Sequence, residues 1–494
     1  MLESAEIGHR ISKQVYAREE PKLREALLLA QWDLSQSGHG PVLVIISGVE
    51  AGGRGETANK LTEWMDPRHI RVVAFGPRVG DEAVRPPAWR YWRALPPSGR
   101  VGIFMNAWYD EVLVATPRRK LSDDQRQLRM ESIRHHERML NEEGLVLLKF
   151  WVHLSKKEQR LRLERLEKDP RTRWRVTRQD WAAWRLYNKA HDAWEQLLRE
   201  TSTGEAPWNV VEGTDDRYRE LTVGKILLDA LRRTLAARKP AAPPRAITPV
   251  APSVIDNVRL IRELDLSKAL SEQEYKRDLE KFQGKLAKLT RHRRFAERSL
   301  ILVFEGVDAA GKGGAIRRVT AALDARQYVT VPVAAPTDEE RGHPYLWRFW
   351  RHVPPFGGIT IFDRSWYGRV LVERVEGYCS VADWMRAYDE INQFEEQLTG
   401  GAAVVVKFWL QISKAEQLRR LRAREKVAFK RFKITAEDWR NRRKWSAYEK
   451  AVCDMVDRTS TEIAPWTLVE AEDKNYARVK ILRTIVRRIE AALD

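Results

Sequence analysis

The sequence predicts an α/β protein made of two copies of one doubly wound parallel sheet. Three observations carry that expectation. Short motifs recur in the same order: Gly48 is matched by Gly306, Lys149-Phe150-Trp151 by Lys407-Phe408-Trp409, and Ala206-Pro207-Trp208 by Ala464-Pro465-Trp466, all at one constant offset. Apolar runs of strand length, PVLVIIS (41–47) and SLILVFE (299–305), lead into glycine and lack the polar alternation of a sheet with one wet face. Segments with helical spacing separate such runs, and strands separated by helices pair in parallel.

Taken in order, the first half offers strands at 41–47, at VGIFM (101–105) and at LVLLKFW (145–151), followed by long charged helices. Residues 237–253, ARKPAAPPRAITPVAPS, are rich in Ala and Pro without apolar periodicity and read as a semi-rigid extended linker. The second half repeats the plan with strands at 299–305, GITIF (358–362) and AVVVKFW (403–409), then the Arg-rich helix KAEQLRRLRAREK (414–426). With 494 residues and a prior of roughly 150 per domain, two or three units are expected. We divide the chain into domains at 1–236 and 254–494. A repeat of this length is a duplicated domain, since solenoid repeats span about 20–50 residues.

The net charge of +19 points to an anionic partner: nucleic acid, an anionic membrane or a phosphate-rich small molecule. Two cysteines, Cys379 and Cys453, are too few for a disulfide framework or a zinc cluster and suit a reducing cytoplasm. The opening residues MLESAEIGHRISK have no apolar core of a signal peptide, and no run reaches the roughly 18 apolar residues that span a bilayer. A soluble protein with no membrane partner is expected.

The strongest chemical signal is GVDAAGKGG (306–314), placed after a strand and before a helix. Gly306-x4-Gly311-Lys312 is the spacing of a P-loop, in which backbone N–H groups and a helix N-terminus hold phosphate oxygens and the lysine adds a point charge. A solvent-facing glycine turn would need neither flank. Where the Ser or Thr that ligates magnesium usually follows the lysine, this chain has Gly313, and Asp308 inside the loop is the alternative ligand.

IFDRSWYGR (361–369) supplies the next signal. Asp363 at the end of an apolar strand stands at the Walker-B position, where a carboxylate holds magnesium, and Arg364 beside it can bridge phosphate oxygens. The basic stretch 419–433 includes Arg420, Arg424, Lys430, Arg431 and Lys433. That composition suits a helical lid closing over transferring phosphates, whose charge spreads onto peripheral oxygens. Asp438 is the expected anchor of a lid cation.

Together, GVDAAGKGG, DRSWYGR and the basic lid before ITAEDW resemble the polyphosphate kinase 2 family in its two-domain class, over nearly the whole chain twice. The resemblance implies a P-loop kinase fold that uses magnesium to move the terminal phosphate of inorganic polyphosphate onto a nucleotide, AMP in the two-domain class. Single-domain members more often make ATP or GTP from diphosphates. It also implies functional roles for Asp308, Lys312, Asp363, Arg364, Arg424 and Asp438. The lid departs from the family's DP-x-K-x-W-K, reading VAFKRFK here.

The mechanism expected from these residues places the donor's terminal phosphates on the amides of Gly311, Gly313 and Gly314 and on Lys312. Asp308 and Asp363 hold Mg2+, and Arg364 and Arg424 support the phosphoryl group in flight, with Arg420, Lys430, Arg431 and Lys433 as further phosphate contacts. An ATP-dependent nucleotide kinase would share the loop and lid. A nucleic-acid-binding module would need interleaved aromatics on a sheet face or a base-reading helix, and neither is evident, so no specific nucleic-acid partner is expected. Self-association is compatible with this reading.

The first half keeps the frame and loses the chemistry. At the common offset Asp308 becomes Glu50, Lys312 becomes Arg54, Asp363 becomes Met105, Arg364 becomes Asn106 and Arg424 becomes Leu166. A thioether is a poor ligand for a hard cation, so the first half is expected to be catalytically silent. Arg162, Arg165, Arg171, Arg173 and Arg175 remain there and could form a cationic track for a polyanion.

Overall fold

The computed structural model describes residues 1–115, 121–237, 259–426 and 436–494. The first repeat runs α1 (Lys13–Ser37), β1 (Val42–Gly48), α2 (Arg54–Trp64), β2 (Ile70–Ala74), β3 (Val101–Met105), α3 (Asp123–Glu142), β4 (Val146–His153), α4 (Lys156–Lys168), α5 (Arg178–Thr201), β5 (Trp208–Glu212) and α6 (Asp216–Ala236). The second begins with α7 (Glu272–Leu289), β6 (Ser299–Gly306), α8 (Lys312–Thr320), β7 (Tyr328–Pro332), β8 (Ile359–Asp363) and α9 (Val381–Gly400). It continues with β9 (Ala403–Gln411), α10 (Lys414–Glu425), α11 (Ala436–Arg443), α12 (Trp445–Thr459), β10 (Trp466–Glu470) and α13 (Lys474–Leu493). Shorter helical turns fill the connections.

Each repeat forms a five-stranded sheet, ordered β2-β3-β1-β4-β5 in the first and β7-β8-β6-β9-β10 in the second, with parallel pairing throughout. The tandem α/β duplication expected from the sequence is therefore present. Three strands per repeat were legible as apolar runs; the sheets have five. The missed edge strand β7, YVTVP, has Val329 and Thr330 exposed, so its sequence carries no continuous apolar run, whereas β9 is buried along its whole length.

The chain separates into two compact units that are not contiguous in sequence. Unit 1 gathers Met1–Pro77, Tyr91–Ala241 and Pro336–Trp347; unit 2 gathers Arg78–Arg90, Ala242–Ala335 and Arg348–Asp494. Within unit 2, Phe356 N donates to Val84 O at 2.8 Å and Arg85 Nε to Val353 O at 3.0 Å. Within unit 1, Ser98 N donates to Gly342 O at 2.6 Å. A single cut at the linker thus misses two short segments, at matching places in the two repeats. The linker, 237–253, lies outside the described residues apart from Ala237. Among the described residues, no helix is long and apolar enough to cross a membrane.

A buried polar cluster explains why Lys-Phe-Trp, Ala-Pro-Trp and Trp-Tyr recur in both repeats. In unit 2, Lys407 Nζ on β9 donates to Glu395 Oε2 on α9 at 2.7 Å, to the Tyr367 hydroxyl at 2.8 Å and to Thr459 O at 2.7 Å. Trp366 and Tyr367 donate to the other Glu395 oxygen at 3.1 and 2.7 Å. The Lys407 ammonium also lies 5.1 Å from the Trp466 ring centre. Unit 1 repeats the set with Lys149 on Glu137 and Thr201 O at 2.7 and 2.6 Å, and with Trp108 and Tyr109 donating to Glu137. A buried charge needs such complete pairing, so these residues are frame in both repeats.

Candidate active site

The site sits at the carboxyl end of β6, the central strand, which is where an open parallel sheet places its ligands. Gly306 closes β6 at φ +148°, and a Cβ there would lie 2.6 Å from Leu410 O, so only glycine fits. The loop turns through Ala309 at φ +66° and reaches Gly311 at φ +113°, which caps the N-terminus of α8. Lys312 starts the helix and folds back over the loop, Nζ donating to Gly306 O at 2.8 Å. Gly313 has open space around it, as a backbone approached by phosphate requires. The Gly314 N–H differs from expectation: it donates back to Gly311 O at 3.0 Å.

Asp308 is held from two sides. Arg364 Nη2 lies 3.3 Å from Oδ1, and Asn441 Nδ2 on α11 donates to Oδ2 at 2.8 Å. Gln417 Nε2 on α10 donates to the Asp308 carbonyl at 3.3 Å. Arg364 itself adopts φ +65°, a costly conformation for a residue with a side chain, while its N–H donates to Phe304 O at 3.0 Å. Burial opposes its positive charge, but Asp308, Glu305, Glu437 and Asp363 together outweigh that and raise its pKa. Asp363 ends β8, directly across from Phe304 in the parallel register. The structure thus brings Asp308, Lys312, Asp363 and Arg364 to the carboxyl ends of the neighbouring strands β6 and β8.

The basic segment divides. Arg420 was expected on phosphate, but it is 5% exposed and its guanidinium is fully engaged. Nη1 donates to Ala309 O and Ala310 O at 3.1 and 2.9 Å, Nη2 to Ala471 O and Glu472 O at 2.8 Å each, and Nε to Glu416 at 2.5 Å. Its planar fork ties the glycine loop to the strand-end loop after β10, a positioning role. Arg424 occupies the last turn of α10, half-buried. Asp438 lies buried in the first turn of α11. Lys430, Arg431 and Lys433 fall outside the described residues.

Several residues at the site were not anticipated. Glu305, buried at the end of β6, accepts from Ser365 Oγ at 2.8 Å, and burial pushes its carboxyl pKa up against the pull of Lys312. Glu305, Asp308, Arg364 and Asn441 open onto a cleft walled on the α12 side by Trp445, Tyr448 and Val452. The signal for them was the same asymmetry between halves: Glu305 faces Ser47 at the common offset, Ser365 faces Ala107, Asn441 faces Ala183 and Tyr448 faces Ala190.

In unit 1 the corresponding loop is closed upon itself. Arg54 Nη1 donates to Asn106 Oδ1 at 2.6 Å and Nη2 pairs with Glu50. Positive φ persists at Ala51, Gly53 and Asn106, so the loop path survives without its chemistry. The arginines expected to form a track are largely engaged: Arg162 is buried on Gly213 O, Asp216 and Glu56, Arg175 pairs with Glu56, and Arg171 with Asp169.

The family model for polyphosphate kinase 2 matches residues 10–239 and again 269–494, one match per repeat. The chain belongs to the polyphosphate kinase 2 family. It is 54% identical over 492 residues to a polyphosphate:AMP phosphotransferase of Pseudomonas aeruginosa, covering 100% of this chain and 99% of that protein. A protein of the same description from Pseudomonas syringae pv. tomato is 52% identical over 493 residues, with 100% and 99% coverage. A solved polyphosphate kinase 2 structure from Pseudomonas aeruginosa PA01 superposes with a TM-score of 0.90 at 53% identity, covering 100% of this chain and 99% of that one. Both repeats of this kinase therefore share the fold with a relative matched end to end.

Among the described residues, no three His, Cys, Asp or Glu side chains gather as a metal cage. Magnesium does not need one. It keeps most of its waters and commonly takes one or two carboxylates together with substrate phosphate oxygens, so an oxygen set of Asp363 and Asp308 fits it. Both Asp308 oxygens already accept hydrogen bonds, which suits contact through water.

Proposed function

We propose that the protein transfers the terminal phosphate of inorganic polyphosphate to AMP, giving ADP and a chain shorter by one phosphate. The observation that carries this reading is the end-to-end likeness, repeat for repeat, to polyphosphate:AMP phosphotransferases, together with one open and one self-closed glycine loop. An AMP phosphate oxygen attacks the terminal phosphorus, and the P–O–P bond to the rest of the chain breaks. That oxygen is already anionic, so no strong general base is required. Lys312 and the first turn of α8 hold the donor's terminal phosphates, and Arg364 and Arg424 face the charge that spreads over the transferring group. Asp363 and Asp308 would hold Mg2+, which would supply neutralisation of the phosphate charge. The acceptor's nucleoside lies in the cleft against Trp445 and Tyr448, with Asn441 fixing Asp308 at its floor. Both cysteines are unpaired, which suits the cytoplasm, and we assign no nucleic-acid partner and no fixed oligomeric state.

Product analysis tests the reading. With long-chain polyphosphate and magnesium, AMP should be converted to ADP faster than ADP or GDP is converted to triphosphate, and ATP should not replace polyphosphate as donor. Faster triphosphate formation would overturn the acceptor, and efficient use of ATP would overturn the donor.

A further inference from the structure

Asp308 is steered by a line of contacts that extends beyond its own partners. Asn441 Nδ2 donates to Asp308 Oδ2 at 2.8 Å, and the Tyr448 hydroxyl donates to Asn441 Oδ1 at 3.1 Å. Chemistry fixes the amide's orientation. A carboxylate accepts and cannot donate, so Asp308 takes the NH2 end and leaves the carbonyl end for the hydroxyl proton. Burial, and then the negative charge of Glu376 and Asp308, raise the Tyr448 pKa, so the phenol keeps that proton. The same hydroxyl lies 3.5 Å from Oε1 of Glu376, which ends the helical turn Val372–Glu376. The Glu376 side chain is only 4% exposed, and its Oε2 lies 2.9 Å from Lys444 Nζ and 3.1 Å from Arg440 Nε. One carboxylate thus pins the backbone on both sides of Asn441, where α11 passes into α12.

The first repeat lacks this line of contacts. At the common offset Arg440, Asn441, Lys444 and Tyr448 become Ala182, Ala183, Leu186 and Ala190, and Glu376 becomes Arg118. Glu50, which stands where Asp308 does, pairs with Arg54 instead. The buried lysine–glutamate pair of the frame, by contrast, recurs in both repeats. A need of the frame would be met twice; these five side chains accompany only the aspartate at the open loop. Asp308 requires steering because Arg364 competes for it, with Nη2 already 3.3 Å from Oδ1. Released by Asn441, the carboxylate could turn both oxygens to the guanidinium in a bidentate pair.

We propose that Tyr448 is a positioning residue: its hydroxyl sets the Asn441 amide and, through it, the Asp308 carboxylate, while Glu376 holds the α11–α12 junction that carries both. The role rests on the reading above, in which Asp308 serves phosphoryl transfer. Groups that orient a functional carboxylate from behind commonly matter by about ten- to a hundredfold.

The test uses the full chain and compares wild type with Tyr448→Phe, Asn441→Ala and the double variant, with long-chain polyphosphate, AMP and magnesium. Phenylalanine keeps the ring that faces the cleft and removes only the oxygen. Tyr448→Phe should lower kcat about tenfold and leave the KM for AMP within about twofold. The double variant should be no slower than Asn441→Ala, because the hydroxyl acts through the amide. Losses that multiply, or an unchanged kcat in Tyr448→Phe, would overturn the positioning role. A crystal structure of Tyr448→Phe without metal or substrate gives a readout independent of turnover. Asn441 should have left Asp308, and both Asp308 oxygens should face Arg364. An Asn441–Asp308 hydrogen bond kept at its present length would overturn the proposal. A wild-type chain that makes no ADP from AMP overturns the functional reading alone, since the crystal structure still decides whether Tyr448 positions Asp308.

Discussion

Glu305 and Arg420 show how differently two charged residues serve one loop. Arg420 was legible in the sequence as a cation of a basic helix, and its residue type suggested phosphate. What the sequence could not give was the partner set, four backbone carbonyls from two loops far apart along the chain. Glu305 was read as the last residue of an apolar strand, and only its absence from the first repeat marked it. Its burial has a cost that can be measured. The folded protein holds this carboxyl's pKa above the ordinary value, so between the two values the native state binds more protons than the unfolded state. Stability from this group therefore falls as pH rises through that range. Glu305→Gln, still able to accept from Ser365, should melt at a higher temperature than wild type at pH 8. The gap should narrow toward pH 5, and polyphosphate-driven turnover should fall. A gap that widens on acidification would contradict the assignment.

At the scale of elements, the central strands and the glycine loop were legible because burial on both faces and positive φ constrain composition directly. The edge strands were not, since one exposed face dilutes the apolar signal. The cleft's back wall was not legible either, because α11 and α12 bring Asn441 and Tyr448 to the loop from more than a hundred residues downstream. The recurrent Lys-Phe-Trp motif turned out to be frame. Lys407 on β9 and Glu395 on α9 are both fully buried, and removing one partner leaves the other uncompensated. Lys407→Met should destabilise unit 2 by about 3–5 kcal/mol in denaturant unfolding. Lys149→Met should do the same to unit 1 while sparing unit 2. Near-neutral results would mean the cluster is exposed to water in solution.

On the scale of the whole molecule, duplication has kept one frame and varied the side chains at its strand ends. Both repeats keep the sheet, the buried lysine cluster and the strained loop path. Only the second keeps carboxylates, lysine and arginine at the strand ends, while the first has joined its own Arg54, Glu50 and Asn106. Each unit also gathers a short segment from the other half of the sequence, so cutting the chain at the linker would deprive both units of part of themselves. Point variants in the full chain are the cleaner probe. The most direct measurement is kcat/KM for polyphosphate-dependent ADP formation by Asp363→Asn and, at the matching place in the first repeat, Met105→Leu. The account predicts a loss on the order of a hundredfold or more for Asp363→Asn and a change within about threefold for Met105→Leu. Comparable losses in the two variants would contradict it.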